Sequence, residues 1–116
     1  MDDLNKKIYG LLKGLPGDVY VSHDYPENIS SQYAAVIFKA SANGAYYCDE
    51  RVYADKFILT ADILALNWEK CGKIYDCLRV LLEESGFVFV SRDDSGTDTK
   101  RDRVRITAKF KGLEIR

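Results

Sequence analysis

Residues 55–89 constrain the fold more than any other part of the chain, because they join a strand, a long amphipathic helix and a second strand in one continuous stretch. Residues 56–64 are rich in β-branched and aromatic side chains, which favours a strand. Residues 67–85 place apolar side chains three or four positions apart, which predicts a helix packed on a sheet. A further strand is expected at residues 87–90. Since this stretch contains no set of catalytic residues, the sequence favours a protein that acts through shape and assembly.

The predicted helix has a defined start and a defined end. Asn67 is a good N-cap residue, and Gly86 can adopt the left-handed conformation that ends many helices. The side chains predicted to pack on the sheet are Trp68, Cys71, Ile74, Tyr75, Leu78, Leu81 and Leu82. On the preceding strand, the residues predicted to share one face are Phe57, Leu59, Ala61 and Ile63.

Earlier in the sequence, the pattern predicts a helix and two strands. Apolar residues at helical spacing predict a first helix from Asp2 or Asp3 to about Lys13. A short strand is expected at residues 19–21. Residues 33–40 predict an interior strand, because both of its faces are mostly apolar.

Asn43 and Gly44 predict a two-residue hairpin turn, since an Asn-Gly pair readily supplies the positive φ angles that such turns need. This turn would separate the strand at residues 33–40 from a short aromatic segment at residues 45–48. The charged residues 49–55 are then expected to form a bend or a loop extension.

Residues 91–103 are charged or small and predict a long connecting loop, and loops of this length are often functional or disordered. Asp93, Ser95 and Asp98 could offer oxygen ligands to calcium. The EF-hand spacing and its terminal glutamate are missing, however, so a solvated loop is favoured over a metal site.

The last strand predicted from the sequence, residues 103–111, alternates apolar and basic residues. Its cations are Arg103, Arg105, Lys109 and Lys111. This row either faces an anionic partner or protects a solvated edge strand from aggregation by its charge, and the second interpretation is favoured.

Composition sets the remaining bounds. A chain of 116 residues is expected to form a single domain, residues 1–116. The net charge of −1 argues against a dedicated nucleic-acid binder. No apolar run approaches the roughly 20 residues that span a bilayer, so no membrane partner is expected. The acidic start of the sequence argues against a signal peptide.

No catalytic, cofactor or metal site is predicted. Cys48, Cys71 and Cys77 lack the paired spacing of a zinc site and are interpreted as reduced cysteines of a cytosolic protein. His23 and Asp24 are neighbours in the sequence, but no nucleophile accompanies them. An ordinary loop histidine is therefore favoured over a general base.

The order of the predicted elements resembles that of the tail-terminator and minor tail proteins of tailed phages and prophages. The resemblance covers nearly the whole chain. It rests on the order of elements around three segments: Tyr-Ala-Ala-Val-Ile-Phe at 33–38, Thr-Ala-Asp-Ile-Leu at 60–64, and Leu-Leu-Glu-Glu-Ser-Gly-Phe at 81–87.

The resemblance implies an α+β fold, with a mostly antiparallel sheet flanked by an N-terminal helix and one long amphipathic helix. It also implies a homo-oligomeric ring, typically a hexamer, at the head-proximal end of the tail tube. Its partners would be the tail tube protein and a head-completion protein, in the virion tail after assembly in the bacterial cytoplasm. DNA would pass through the ring without sequence-specific recognition. The residues expected to contact a neighbour or the lumen are Arg92, Asp93, Asp94, Arg101, Arg103, Arg105, Lys109, Lys111, Tyr46 and Tyr47.

Two other functions stay open on the sequence alone. One is a different head–tail connector of the phage neck, and the other is a small cytosolic module that binds one partner as a monomer. An enzyme built around His23 and Asp24 would need a nucleophile or a metal set that the sequence does not supply. The protein is therefore expected not to be an enzyme.

Overall fold

The helices and strands follow an α-β-β-β-α-β-β order in the computed structural model, which describes residues 2–15, 19–23, 34–48, 51–98 and 103–115. The elements are α1 (Asp2–Leu12), β1 (Val19–Ser22), β2 (Ala34–Cys48), β3 (Arg51–Ala65), α2 (Trp68–Glu84), β4 (Val88–Asp98) and β5 (Arg103–Ile115). The strands form one sheet in the order β1-β2-β3-β5-β4. β1 pairs with β2 in parallel, and the other pairs are antiparallel. The predicted α+β class is confirmed.

Helix α2 begins and ends as its sequence predicts. The Asn67 side-chain oxygen accepts a hydrogen bond from the backbone N–H of Lys70 at 2.8 Å, which satisfies one of the free N–H groups of the first turn. At the other end, Gly86 has a φ of 94°, and the Phe87 N–H donates to the Leu82 carbonyl oxygen at 3.0 Å. These bonds close the last turn of the helix.

Most of the predicted stripe on α2 faces the sheet. Its buried members are Cys71, Ile74, Tyr75, Leu78 and Leu82, and Leu81 packs partly against them. The prediction for Trp68 is wrong, because this side chain is 45% exposed. Trp68 is the first residue of the helix and lies one turn before Cys71, where the helix first reaches the core.

The core lies between the two helices and one face of the sheet. Phe57, Leu59, Ala61 and Ile63 lie on that face, as predicted from their alternation along β3. Helix α1 contributes Ile8 and Leu12 to the same core. The alternating apolar residues of β5, among them Ile106, Ala108 and Phe110, are also fully buried. Burial of this apolar area is the main source of the fold's stability.

Cys71 lies in this core, and the structure confirms its predicted role as a small buried residue. Its thiol donates a hydrogen bond to the Ile63 carbonyl oxygen at 3.1 Å. Burial raises the pKa of the Cys71 thiol from 9.0 to about 11. Cys77 is half-buried, and both are free thiols. The side chain of Cys48 lies outside the described residues.

The predicted hairpin turn at Asn43 and Gly44 is wrong, because both residues lie inside β2. Ala42 pairs with Phe57 and Ala45 pairs with Asp55, so the register shifts by one residue between them. Such a shift is a β-bulge, in which one strand accommodates an extra residue without leaving the sheet. The ladder continues because β3 offers pairing partners on both sides of the bulge.

The predicted bend at residues 49–55 is also largely wrong, since β3 begins at Arg51. β2 pairs along one side of this segment, and the end of β5 pairs with its other side as far as Ala54. Backbone hydrogen bonds on two sides hold these charged residues in a strand. Residues 51–53, by contrast, have β2 as their only neighbour within the described part of the sheet.

The long loop predicted at residues 91–103 is replaced by strand over most of its length, because β4 runs to Asp98 and pairs with β5. Two register shifts interrupt the pairing, one after Phe89 and one after Asp93. β5 therefore lies between β3 and β4, and its interpretation as an edge strand is wrong. The edges of the sheet are β1 and β4.

Candidate functional site

The candidate site is the face of the sheet opposite the helices, which we call the open face. Paired residues on neighbouring strands share a face, and successive residues alternate between faces. The register therefore places one cation from each of β2 and β3 and several from β5 together on this face. They are Lys39, Lys56, Arg103, Arg105, Lys109 and Lys111. The carboxylates that the register places there, among residues with described side chains, are Asp62 and Asp93.

The exposed lysines form a two-dimensional array. Lys109 pairs with Thr60, and Thr60 pairs with Lys39, so these two lysines lie in one row across the sheet. Strand geometry puts them roughly 10 Å apart, and it puts Lys111 roughly 7 Å from Lys109 along β5. Within the described part of the chain, neither Lys109 nor Lys111 forms an ion pair. Their charges are thus available to a partner.

One end of the open face is apolar and the middle is polar. Ala35, Ile37 and Leu64 are buried and form a second small cluster on this side of the sheet. Beside them, the Thr107 hydroxyl donates a hydrogen bond to an Asp62 carboxylate oxygen at 2.8 Å, across the β3–β5 pair. Asp62 and Thr107 are half-buried, whereas Lys39, Lys109 and Lys111 are exposed on the same face.

Arg105 lies across β4, and Gly96 makes this position possible. The two residues are directly paired. A Cβ atom on Gly96 would lie 3.2 Å from the Arg105 Cβ and only 2.6 Å from its Nε, a distance that real Cβ atoms do not reach. The missing side chain of Gly96 therefore leaves the space that the half-buried Arg105 side chain occupies. The open face thus extends its cationic character toward the β4 edge.

Arg92 and Asp94, which were expected at an interface, contact each other, and Arg92 also contacts helix α2. The Arg92 guanidinium donates to both carboxylate oxygens of Asp94 at 2.6 and 2.9 Å, and this bond raises the pKa of Arg92. The Arg92 guanidinium also lies 4.3 Å from the centre of the Tyr75 ring. In the other direction, the Arg79 guanidinium of α2 lies 4.3 Å from the centre of the Phe89 ring of β4. These reciprocal cation–π contacts attach β4 to the helix.

The other predicted interface residues divide between the open face and the part of the chain outside the described residues. Asp93, Arg105, Lys109 and Lys111 share the open face. Arg103 lies on the same side of β5 but is buried. Arg101 lies outside the described residues, as do the side chains of Tyr46 and Tyr47, whose backbone belongs to β2.

The sequence interpretation missed the contribution of Lys39 and Lys56. Each lies at an alternate position of a strand that pairs, directly or through β3, with β5. The alternation was visible in the sequence, but the pairing that brings the three strands side by side was not. Knowledge of the strand order would have been enough to find them.

The structure places two further residues considered from the sequence, His23 and Asp93. The His23 ring lies 6.2 Å from the Phe38 ring and lines a cleft of about 570 Å³ with Asn5, Lys6 and Tyr9. No group of three or more potential metal ligands occurs among the described residues. Asp93 lies in strand β4, which removes the calcium loop considered for this region. Within the described residues, no helix is both long and apolar enough to cross a membrane.

In comparisons with known proteins, no family model matches the sequence, and no curated protein matches it. The open face and the sheet edges are therefore the features that bear on function.

Proposed function

We propose that this protein is a structural component of a phage or prophage tail, a terminator that assembles into a ring at the head-proximal end of the tail tube. It acts by binding the tail tube protein on one side of the ring and a head-completion protein on the other. It performs no catalysis. The observation that carries the proposal is a sheet whose described helices lie on one face, while exposed lysines lie on the opposite face.

Two sheet edges support self-assembly. Among the described strands, β1 and β4 each have a neighbour on one side only, and such sheet edges can pair with a strand of another chain. Val88 and Val90 on β4 are 59% and 42% exposed, which gives this edge an apolar contact surface. When the β4 edge of one subunit meets the β1 edge of the next, the contact joins two different surfaces. Repeated contacts of this kind close into a ring when the rotation from one subunit to the next returns to the first subunit.

In such a ring, the helices face outward and the open face lines the lumen. Charged lumen residues then meet whatever passes through the ring, whereas the helices meet solvent. The proposal assigns the protein to the virion tail after assembly in the bacterial cytoplasm.

The first test is the mass of the protein in solution, measured by light scattering after size exclusion over a range of concentrations. A hexamer has about 79 kDa, six times the 13.2 kDa of one chain. We expect a discrete species of that mass, and rings with a central hole in negative-stain electron microscopy. A monomer at every concentration that also fails to join isolated tail tubes would overturn the proposal.

A pair of variants tests the proposed edge contact. Val90→Lys places a charge at the β4 edge and is expected to abolish the ring while the monomer stays folded. Val80→Lys is the matched control, because Val80 is 54% exposed on helix α2, on the outer side of the proposed ring. Equal loss of the ring in both variants would contradict an interface through β4.

A further inference from the structure

We infer that the open face binds the phosphate backbone of double-stranded DNA without regard to base sequence. The inference rests on the proposed function for the place where DNA reaches this face, the lumen of the ring. Binding itself is a property of the sheet surface and can be measured whether or not the ring forms. Direct contacts between DNA and named side chains are a further property, beyond simple passage of DNA through the ring.

The first argument is the distribution of charge over the molecule. The chain has 17 basic and 18 acidic residues, so a random arrangement would leave every face near neutral. Instead, among the residues with described side chains, the open face carries five cations that are at least partly exposed, and the buried Arg103, against the carboxylates of Asp62 and Asp93. Because the total is −1, the rest of the molecule is net acidic. A polyanion is therefore attracted to one side of this protein and repelled from the other.

The second argument is the kind of recognition that the face can perform. Its exposed cations, Lys39, Lys109 and Lys111, are ammonium groups on flexible stems, which neutralise phosphates as point charges. Among its residues with described side chains, the face has no asparagine or glutamine, the side chains that recognise adenine edges. Contacts to phosphate fix position without reading sequence.

The third argument favours DNA over an acidic protein. Lysine is depleted at protein–protein interfaces, whose centres are usually aromatic or apolar. The buried cluster of Ala35, Ile37 and Leu64 offers no anchor to a partner. The exposed apolar residues that the register places on this face, Tyr20 and Val88, lie at opposite edges of the sheet, on β1 and β4. The lysines instead spread over the sheet at spacings of roughly 7 and 10 Å. A duplex offers a matching broad target, with about one negative charge per 1.7 Å of its axis.

The experiment measures the fluorescence anisotropy of a labelled duplex of about 24 base pairs while the salt concentration is varied from about 50 to 200 mM, the range in which phosphate contacts dominate affinity. The test variant is Lys109→Gln with Lys111→Gln. The control is Lys70→Gln with Lys73→Gln, which removes the same charge from the exposed side of helix α2. Circular dichroism checks that both variants are folded, and light scattering reports the oligomeric state of each sample.

For the test variant, we expect the slope of log affinity against log salt to become shallower by about 1.8, since each lost phosphate contact changes it by about 0.9. At about 50 mM salt its affinity should fall at least tenfold, because counterion release is strongest there. The control variant should bind like the unmodified protein, and two duplexes of unrelated sequence should bind within about twofold.

Three results would overturn the inference. The first is that the protein does not bind the duplex at low salt. The second is that the control variant weakens binding as much as the test variant, which would mean that binding depends on the total charge of the protein and not on the open face. The third is displacement of the duplex by polyglutamate at equal charge concentration, which would assign the face to an acidic protein. DNA binding by a protein that stays monomeric supports this inference and counts against the ring. Rings that form without binding DNA would support the proposed function and overturn this inference.

Discussion

Replacing Gly112 by alanine tests the packing of the sheet at a single atom. Gly112 pairs with Phe57, and the Phe57 ring lies over it in place of a side chain. An added Cβ would lie 3.0 Å from two atoms of that ring and nearer to a third. The ring has little room to move, because it is buried and makes an edge contact with Phe87 at 5.5 Å between ring centres.

The magnitude follows from two opposing terms. Overpacking a well-filled core costs about 1–3 kcal/mol. Replacing glycine by alanine also restricts the unfolded chain, which returns about 0.4–1 kcal/mol. We therefore expect Gly112→Ala to lower the free energy of unfolding by about 1–2 kcal/mol. For a chain of 116 residues, with an unfolding entropy of about 2.1 cal/mol/K per residue, this lowers the melting temperature by about 4–8 °C.

Gly72→Ala is the control, since it makes the same chemical change with the opposite expected sign. Gly72 lies inside helix α2, and an added Cβ would meet nothing within 4 Å. Alanine is favoured over glycine in a helix by roughly 0.8–1 kcal/mol, so this variant should melt at a higher temperature than the unmodified protein. Urea titration and thermal melts followed by circular dichroism measure both. A Gly112→Ala protein as stable as the unmodified one would refute the close contact with Phe57.

Two further predictions concern the core. Leu78→Ala should lower the free energy of unfolding, measured by urea titration, by about 2–5 kcal/mol, because Leu78 is fully buried. Leu66→Ala should change it little, because Leu66 is 53% exposed. Similar losses in both variants would mean that α2 does not pack as described. The Cys71 thiol has a pKa raised from 9.0 to about 11 in the folded state, so between these pH values the folded state keeps a proton that the unfolded state loses. The buried neutral thiol therefore contributes its full stability below about pH 9, and this stability is lost as the pH rises toward 11. Between pH 8 and about 10.5, the unmodified protein should thus lose about 2 kcal/mol more than Cys71→Ala, and parallel pH profiles would contradict this.

The features that the sequence predicted well depend on neighbours along the chain. Helix α2 is an example, because its N-cap at Asn67, its apolar spacing and its end at Gly86 are all local signals. The burial of alternate residues on β3 and β5 was predicted for the same reason. The error at Trp68 arose because periodicity does not tell where a helix first meets its sheet.

The features that the sequence did not predict depend on partners that are distant in the chain. Residues 91–98 have no apolar alternation, and they form a strand because β5 pairs with them. Asn43 and Gly44 have the composition of a turn, but β3 continues past them and a bulge absorbs the mismatch. The open face required the order of three strands, so its lysines could not be grouped from the sequence alone.

The unequal reach of the strands has a consequence for local opening of the native protein. β5 pairs with β3 only as far as Ala54, and β1 pairs only with residues 34–37 of β2. Within the described part of the sheet, residues 47–48 and 51–53 are therefore held as a two-stranded ribbon, and such a ribbon is marginally stable without a third strand. Its amide protons should exchange with solvent at a low opening free energy, while those of β3 beside Ile63 should exchange only on global unfolding. Amide exchange along β3 is thus expected to slow from one end to the other, a gradient within one continuous strand.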